Sequence, residues 1–168
     1  MPEAYRVLAV NPGGMTTKIA VYEDDEPVFE IRIEHEREEL EGFDAIPDQL
    51  GMRQAAIEDA LRADGQLEKP FDAVVGRGGL LRSIPSGTYA VNDLMKEDCR
   101  IGYSGQHASN LGALLADTLS GAHGGRAFVV DPVSVDEFEP LARYSGHREI
   151  ERRSLVHALN VRATAKKA

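Results

Sequence analysis

A turn between two apolar, β-rich segments holds the residues of this chain best suited to bind phosphate. It reads Asn11-Pro12-Gly13-Gly14-Met15-Thr16-Thr17-Lys18. Backbone N–H groups in a tight turn, hydroxyl groups and a lysine are donors that suit the phosphates of a nucleotide. In the Walker P-loop the lysine follows a glycine and precedes Ser or Thr at the start of a helix. Here Lys18 follows Thr17 and begins a β-rich segment, so the pattern predicts a phosphate loop inside a β-hairpin.

The expected phosphate-binding residues of this turn are those that offer a donor or an open backbone. They are Asn11, Gly13, Gly14, Thr16, Thr17 and Lys18. Two of these assignments have alternatives. The threonines are equally typical of the start of a strand. Lys18 either reaches the phosphates, which we favour, or faces solvent beside the loop.

Arg77 is the residue that we expect to bind the substrate. Its guanidinium group can hold a carboxylate and a phosphoryl oxygen in a bidentate manner, and Gly76 and Gly78 leave space for a ligand. The alternative is a surface arginine at the end of a strand. Asp131 precedes Pro132 at the end of another apolar segment, and it either faces the same site or belongs to an ordinary turn.

Hydrophobic periodicity and turn residues predict the elements that position these side chains. Segment 28–34 alternates with a period of two, and the turn 23–27 makes it antiparallel to the strand before it. Helix 109–119 is expected to end at Gly121, and the chain after Pro132 to be largely helical, above all 150–165. The other predicted elements are strands 7–10, 18–22, 71–75, 88–91 and 126–130 and helices 46–63 and 93–100.

This order of elements predicts an RNase-H-like α/β domain, in which an antiparallel three-strand meander is followed by β-α-β crossovers in one mixed sheet. Ligands of such sheets bind where strand ends and loops converge. The ends of the first, fourth and last strands carry Asn11, Arg77 and Asp131. We therefore expect these three residues to meet at one edge of the sheet.

Composition and charge narrow the class of protein. A chain of 168 residues with 42% hydrophobic residues fits one globular domain with a core. The net charge of -9 argues against a nucleic-acid partner, because phosphate backbones attract basic surfaces. No apolar segment approaches the ~20 residues of a membrane helix, and no leader peptide is recognisable. The single cysteine, Cys99, suits a reducing compartment, so we expect a cytoplasmic protein without a membrane partner.

Several blocks of the sequence resemble the butyrate kinases of the acetokinase family, within the actin-like sugar-kinase superfamily. Besides the phosphate loop, these blocks are Val75–Leu81, Ile84–Tyr89, Gly105–Gly112, Val130–Val133 and Ile150–Asn160. The resemblance covers essentially the whole chain. It implies an actin-like fold and a transfer of the γ-phosphoryl group of ATP, with Mg²⁺, to a short-chain carboxylate such as butyrate, giving an acyl phosphate.

The resemblance also implies roles for particular residues. His107 and His157 would contact the transferring phosphoryl group together with Arg77. Asp131 would orient the arginine or the hydrated Mg²⁺. The remaining histidines match no motif and are predicted at the surface: His35, His123 and His147.

No residue is expected to bind the metal directly. Asn11 stands where many actin-like phosphotransferases have a metal-binding aspartate, so Asn11 and Asp131 would act through water. An RNase-H-like nuclease needs an acidic cluster that begins on the first strand and holds two metals. Asn11 and the negative net charge both count against that alternative.

Two departures from the family pattern bear on activity. Family members are much longer and have a second actin-like domain, so we expect residues 1–150 to form the N-terminal domain and 151–168 a helix that leads into the second. The chain alone would then be inactive and need a complementary domain or a homo-oligomer. The alternatives are a stand-alone phosphate- or nucleotide-binding remnant and one half of a split kinase. In the loop, Gly14 and Met15 replace two hydroxyl residues, which puts phosphate binding in question.

Overall fold

The computed structural model describes residues 4–155, 164, 165 and 167 of the chain. Within them, six strands form one mixed sheet. The strands are β1 (Arg6–Pro12), β2 (Thr16–Glu23), β3 (Glu26–Glu34), β4 (Ala73–Arg77), β5 (Thr88–Ala90) and β6 (Arg126–Val130). The α-helices are α1 (Arg37–Glu41), α2 (Leu50–Ala63), α3 (Asp93–Ile101) and α4 (Leu111–His123), and 3₁₀ turns at Ile46–Gln49 and Ala108–Asn110 lead into α2 and α4.

The strand order β3-β2-β1-β4-β6-β5 confirms the predicted fold class. β1, β2 and β3 form the antiparallel meander. β4 and β6 lie parallel to β1 after connections that contain helices, and β5 pairs antiparallel with β6 at the edge of the sheet. The domain is an RNase-H-like α/β domain, and the carboxyl ends of β1, β4 and β6 share one edge.

Alternation along the strands sends one set of side chains into the core. On β1, Leu8 and Val10 are almost fully buried, whereas Ala9 between them is half-buried. α2 and α4 pack on the buried face of the sheet, and α3 packs on α4. The side chains of Asn11 and Arg77 are in phase with the residues of the opposite face. The core therefore lies behind the candidate site and supports the strands that carry it.

Two glycines allow α4 to touch β4 through the backbone. A Cβ atom on Gly76 would lie 2.0 Å from the carbonyl oxygen of Gly112, and a Cβ on Gly112 would lie 1.9 Å from that of Arg77. No side chain fits at either position. This contact fixes the first turn of α4 beside the end of β4, and hence beside Arg77.

β3 lies at an edge of the sheet, so its predicted inner face is only partly covered. Phe29 and Ile33 pack on the core, whereas Ile31 is 38% exposed. A β-bulge opposite Val21 and Tyr22 shifts the register of β3 near its start. The half-buried strand predicted from the period of two is present, with one of its three apolar positions open to solvent.

The predicted end of the fourth helix at Gly121 is wrong. α4 continues to His123 and ends at Gly124, whose φ of 88° lies outside the helical region. A glycine inside a helix costs only about 1 kcal/mol relative to alanine. Gly121 is therefore tolerated, while Gly124 and the following Gly125 (φ 85°) supply the turn into β6.

The helices predicted after β6 are absent from residues 131–155, where a 3₁₀ turn at Pro140–Arg143 is the regular helical structure. A salt bridge holds this segment instead: Arg143 Nη1 donates to the Asp136 carboxylate, itself almost fully buried, at 2.9 Å. The helix predicted to begin at Ile150 does not begin there. Residues 156–163 lie outside the described part of the chain, so the domain boundary at residue 150 stays a prediction. None of the helices in the described residues is long and apolar enough to cross a membrane.

Candidate functional site

The carboxyl ends of β1 and β4 bring Asn11 and Arg77 together. The parallel register pairs Val10 with Gly76, so the next residues on the two strands are neighbours. Arg77 Nη1 donates to Asn11 Oδ1 over a long 3.5 Å, and both side chains are exposed. Lys18 lies opposite Asn11 in the antiparallel register of β1 and β2. Two cationic side chains thus flank one amide at this edge, an arrangement that suits an anionic ligand.

The same three residues line an open groove of about 370 Å³ on the sheet face opposite the core. Small and aliphatic side chains form much of the remaining lining, including Ala9, Ala20 and Val75. Glu30 of β3 also borders the groove. The groove is therefore cationic where the strands end and largely apolar along the sheet.

Asp131 follows β6 at the same edge, but its carboxylate is bound to backbone on the far side of that strand. Oδ1 accepts from Gly87 N at 2.8 Å, and Asp131 N donates to Gly87 O at 3.0 Å. Asp131 also adopts a positive φ of 43°, which aspartate tolerates better than most residues. Among the described contacts none joins Asp131 to Arg77, so the geometry matches the turn alternative more closely than a direct role beside the arginine.

His107 lies on the segment that docks against the loop after β4. Asn110 fastens that segment, because its Oδ1 accepts from Leu80 N at 2.8 Å and a Cβ on Gly79 would lie 2.6 Å from the same oxygen. The imidazole of His107 is exposed, and its Nδ1 accepts from Ser109 N at 3.1 Å. His107 therefore has a fixed ring and lies at the start of α4, which is packed on the end of β4. His157 lies outside the described residues.

A fully buried arginine of α2 holds the loop between β1 and β2 from the core side. Arg53 Nη1 donates to the carbonyl oxygens of Gly13 (2.9 Å) and Thr16 (3.2 Å), and Nη2 donates to that of Gly14 (2.8 Å). Gln49, one turn earlier, accepts from Nε at 3.1 Å and from Nη2 at 3.0 Å. The loop expected to bind phosphate is thus anchored to α2 through its own carbonyl groups.

Thr17 points into this buried cluster. It is fully buried; its Oγ1 accepts from Arg53 Nη1 at 3.0 Å and lies 2.8 Å from His35 Nε2. The Thr17 hydroxyl therefore has two protein partners, whereas Thr16 is half-buried and Gly14 is open to solvent. The prediction that His35 lies at the surface is wrong, since it is 5% exposed. Burial, and then the charge of Arg53, lower the pKa of His35.

Arg53 is the residue that the sequence interpretation missed, although the pattern of α2 contains a signal for it. Leu50, Ile57 and Leu61 mark the apolar face of the helix, and Arg53 occupies the position between the first two at helical spacing. A charged residue there must be buried with partners or turn away from the core. His123, also predicted at the surface, is half-buried, with Nε2 3.1 Å from Glu58 Oε1.

The described residues contain no group of three or more His, Cys, Asp or Glu side chains placed to hold a metal ion. Asn11 Oδ1, on the strand that leads into the phosphate loop, already faces the Arg77 guanidinium. Mg²⁺ is usually held by one or two carboxylates, by water and by substrate phosphates.

Butyrate kinase 1 of Clostridium acetobutylicum is 46% identical to this chain over 163 residues. The matched region covers 97% of this chain. This chain is therefore similar to a butyrate kinase over nearly its whole length. It spans less than half of that relative, since the match covers 46% of the butyrate kinase sequence. No family model matches the chain.

Two solved structures are more distantly similar. Acetate kinase from Entamoeba histolytica has a TM-score of 0.49 and 15% sequence identity, covering 86% of this chain and 39% of that one. The PPX-GPPA enzyme of Aquifex aeolicus has a TM-score of 0.46 and 13% identity, covering 78% of this chain and 54% of that one.

Proposed function

We propose that this chain supplies the phosphate loop and the substrate-binding arginine of a short-chain fatty acid kinase, which converts ATP and butyrate to ADP and butyryl phosphate. The observation that carries the proposal is the 46% identity to a butyrate kinase over 97% of the chain. The pairing of Arg77 with Asn11 at the sheet edge, next to the loop, supports it.

The proposed reaction needs positioning and charge stabilisation more than a covalent nucleophile. A carboxylate oxygen of the acid attacks the γ-phosphorus, and the bond to the oxygen that bridges to the β-phosphate breaks. Arg77 would bind both the carboxylate and an oxygen of the transferring group, because its planar fork offers parallel donors. The Asn11 amide would keep that fork oriented toward the edge.

His107 would donate a hydrogen bond to the transferring phosphoryl group. Its Nδ1 accepts from the backbone N–H of Ser109, so the proton of the neutral ring resides on Nε2. This tautomer, in which the Ser109 hydroxyl 2.7 Å from Nδ1 would donate as well, presents an N–H donor to the exterior. A similar role for His157 rests on the sequence resemblance alone.

Lys18 and the backbone N–H of Gly14 would bind the phosphates, with Thr16 adding a hydroxyl, whereas the Gly13 N–H donates to the carbonyl oxygen of Thr16 at 2.7 Å. Mg²⁺ would arrive with ATP and neutralise phosphate charge. Asn11 would reach it through water, and so would Asp131, through the carboxylate oxygen that does not accept from Gly87. Because ATP is the phosphoryl donor, we place the protein in the cytoplasm.

A second domain, on the same chain or on a complementary one, would complete the cleft. The match to less than half of the relative supports this part of the proposal, with residues 1–150 as the N-terminal domain and 151–168 as the segment that leads on. A homo-oligomer is the alternative source of the missing surface. The other candidate is a phosphate- or nucleotide-binding module without transfer activity.

The test traps the product. With ATP, Mg²⁺, butyrate and hydroxylamine, the chain together with a butyrate kinase second domain should yield butyryl hydroxamate. Arg77→Ala should abolish the yield, while the control Arg126→Ala should not, because Arg126 is exposed at the opposite end of the sheet. Equal yields from Arg77→Ala and the control would refute the assignment. ATP binding without any hydroxamate in the completed protein would favour the binding module.

A further inference from the structure

Arg53 orients three of the carbonyl groups of the loop between β1 and β2. The Arg53 guanidinium donates hydrogen bonds to the carbonyl oxygens of Gly13, Gly14 and Thr16. The fourth, that of Met15, accepts from the backbone N–H of His35 at 2.9 Å. The Met15 carbonyl therefore points toward β3, whereas the other three face Arg53, and that of Thr16 also accepts from Gly13 N at 2.7 Å.

This orientation decides where the loop's N–H groups point. In a planar trans peptide the C=O and N–H bonds are antiparallel. Since the carbonyls of Gly13 and Gly14 face Arg53, the N–H groups of Gly14 and Met15 face away from it. Gly14 has no atom within 4 Å of a built Cβ, and Met15 is 50% exposed, so nothing in the described residues covers this side of the loop. Successive outward N–H groups form a concavity that suits an anion.

Arg53 also places an uncompensated charge beneath that concavity. Its side chain is fully buried, and every hydrogen-bond partner given for it is a neutral oxygen: backbone carbonyls, the Thr17 hydroxyl and the Gln49 amide. Burial lowers the pKa of Arg53, but a guanidinium group stays protonated at neutral pH. A buried cation without a carboxylate partner is costly, and a phosphate on the loop would supply the missing negative charge.

We propose that Arg53 is the positioning residue of the phosphate loop: it draws the carbonyls of residues 13, 14 and 16 inward, so that the amides of Gly14 and Met15 bind a phosphate. The inference rests on the proposed function, because that function puts a nucleotide phosphate on the loop. Arg53 itself does not touch the ligand. This arrangement explains how the loop binds phosphate with Gly14 and Met15 where hydroxyl residues were expected, because the donors are backbone groups.

The test compares two Arg53 variants with a matched control on the same helix. Arg53→Lys keeps the positive charge but loses the planar guanidinium group, and Arg53→Met loses both. The control Arg62→Lys replaces arginine by lysine at a side chain that is 62% exposed. Binding of ATP–Mg²⁺ and of inorganic pyrophosphate is measured by calorimetry. Loop order is measured by the heteronuclear ¹⁵N NOE of Gly14 and Met15 in the ligand-free chain.

We expect both Arg53 variants to bind about tenfold more weakly, the equivalent of one charge-assisted hydrogen bond, and to lose loop order, while Arg62→Lys matches the wild type. Wild-type affinity in Arg53→Lys with weak binding in Arg53→Met would overturn the proposal, because charge alone would then suffice. Unchanged loop order in both Arg53 variants would overturn it too, whether or not phosphate binds. Absence of binding in the wild type, with loop order still dependent on Arg53, would count against the proposed function and leave the positioning role standing.

A milder variant covers the case in which the Arg53 variants do not fold. Gln49→Leu removes the amide oxygen that braces Nε and Nη2 but retains the arginine and its charge. We expect a severalfold loss of pyrophosphate affinity with the ¹⁵N–¹H spectrum of the sheet preserved. Wild-type affinity and wild-type loop order in this variant would overturn the proposal.

Discussion

Gly112→Ala tests whether the backbone contact between α4 and β4 positions Arg77. The added Cβ would lie 1.9 Å from the Arg77 carbonyl oxygen, whereas real Cβ contacts stay above 3.0 Å, so the strand and helix must separate by about 1.1 Å. The close atom is backbone, and no rotamer change relieves the clash. Overpacking of this kind destabilises a protein by about 1–3 kcal/mol, and each kcal/mol lowers Tm by roughly 2–4 °C in a chain of this size.

The same shift should weaken ligand binding beyond its effect on stability. A misplacement of about 1 Å at a catalytic group costs on the order of 10²-fold in rate, and Arg77 is the residue whose own carbonyl is displaced. Urea denaturation and calorimetry with ATP–Mg²⁺ measure the two effects separately. The loss of stability is measured at the urea concentration of half-unfolding. Ligand binding is measured well below that concentration, where the variant is folded.

Gly121→Ala is the matched control in the same helix. A Cβ on Gly121 meets nothing within 4 Å, so alanine should stabilise α4 by up to about 1 kcal/mol through helix propensity. The two variants make the same chemical change nine residues apart in one helix, with opposite expected effects on stability. If Gly112→Ala unfolds at the same urea concentration as Gly121→Ala, the close contact between α4 and β4 is not a determinant of this fold.

Two further predictions concern buried titratable groups. Burial raises the pKa of the Cys99 thiol to about 12, so the folded protein should resist alkylation at pH 8 and react within minutes once urea unfolds it. The pKa of His35 is lowered in the folded state from 6.5, so the unfolded chain takes up more protons and stability should fall as pH drops below about 6.5. His35→Gln, which can still pair with Thr17, should flatten that dependence in urea melts between pH 7 and about 5. Rapid alkylation of the folded protein, or identical pH profiles for His35→Gln and the wild type, would contradict these expectations.

The strands and their order follow from local signals that the sequence displays openly. Each of these signals belongs to one contiguous stretch of chain. They are the period of two in β3, the apolar segments of β1, β4 and β6, and the Asn92 cap of α3. The proximity of Asn11 and Arg77 follows from the same signals, because parallel strands bring their carboxyl ends to one edge. Those predictions needed no knowledge of side-chain partners.

The rest depends on contacts between distant segments, which no local pattern encodes. Arg53 was not predicted because its partners lie some forty residues earlier in the β1–β2 loop. Asp131 was placed at the edge, but the hydrogen bond that directs its carboxylate comes from Gly87. The segment after β6 contains good helix formers, yet the buried ion pair of Asp136 with Arg143 favours an irregular path there.

The exposed edge at β3 has a consequence for how this domain behaves at high concentration. A nine-residue edge strand presents unpaired N–H and C=O groups to which a strand of another molecule could add. Its exposed side chains are largely charged: Glu26, Glu30, Glu34 and Arg32, of which the last two form an ion pair. Pro27 removes one backbone donor. Addition of a second copy of β3 would bring these carboxylates together, so like-charge repulsion keeps the sheet from growing at the edge farthest from β6.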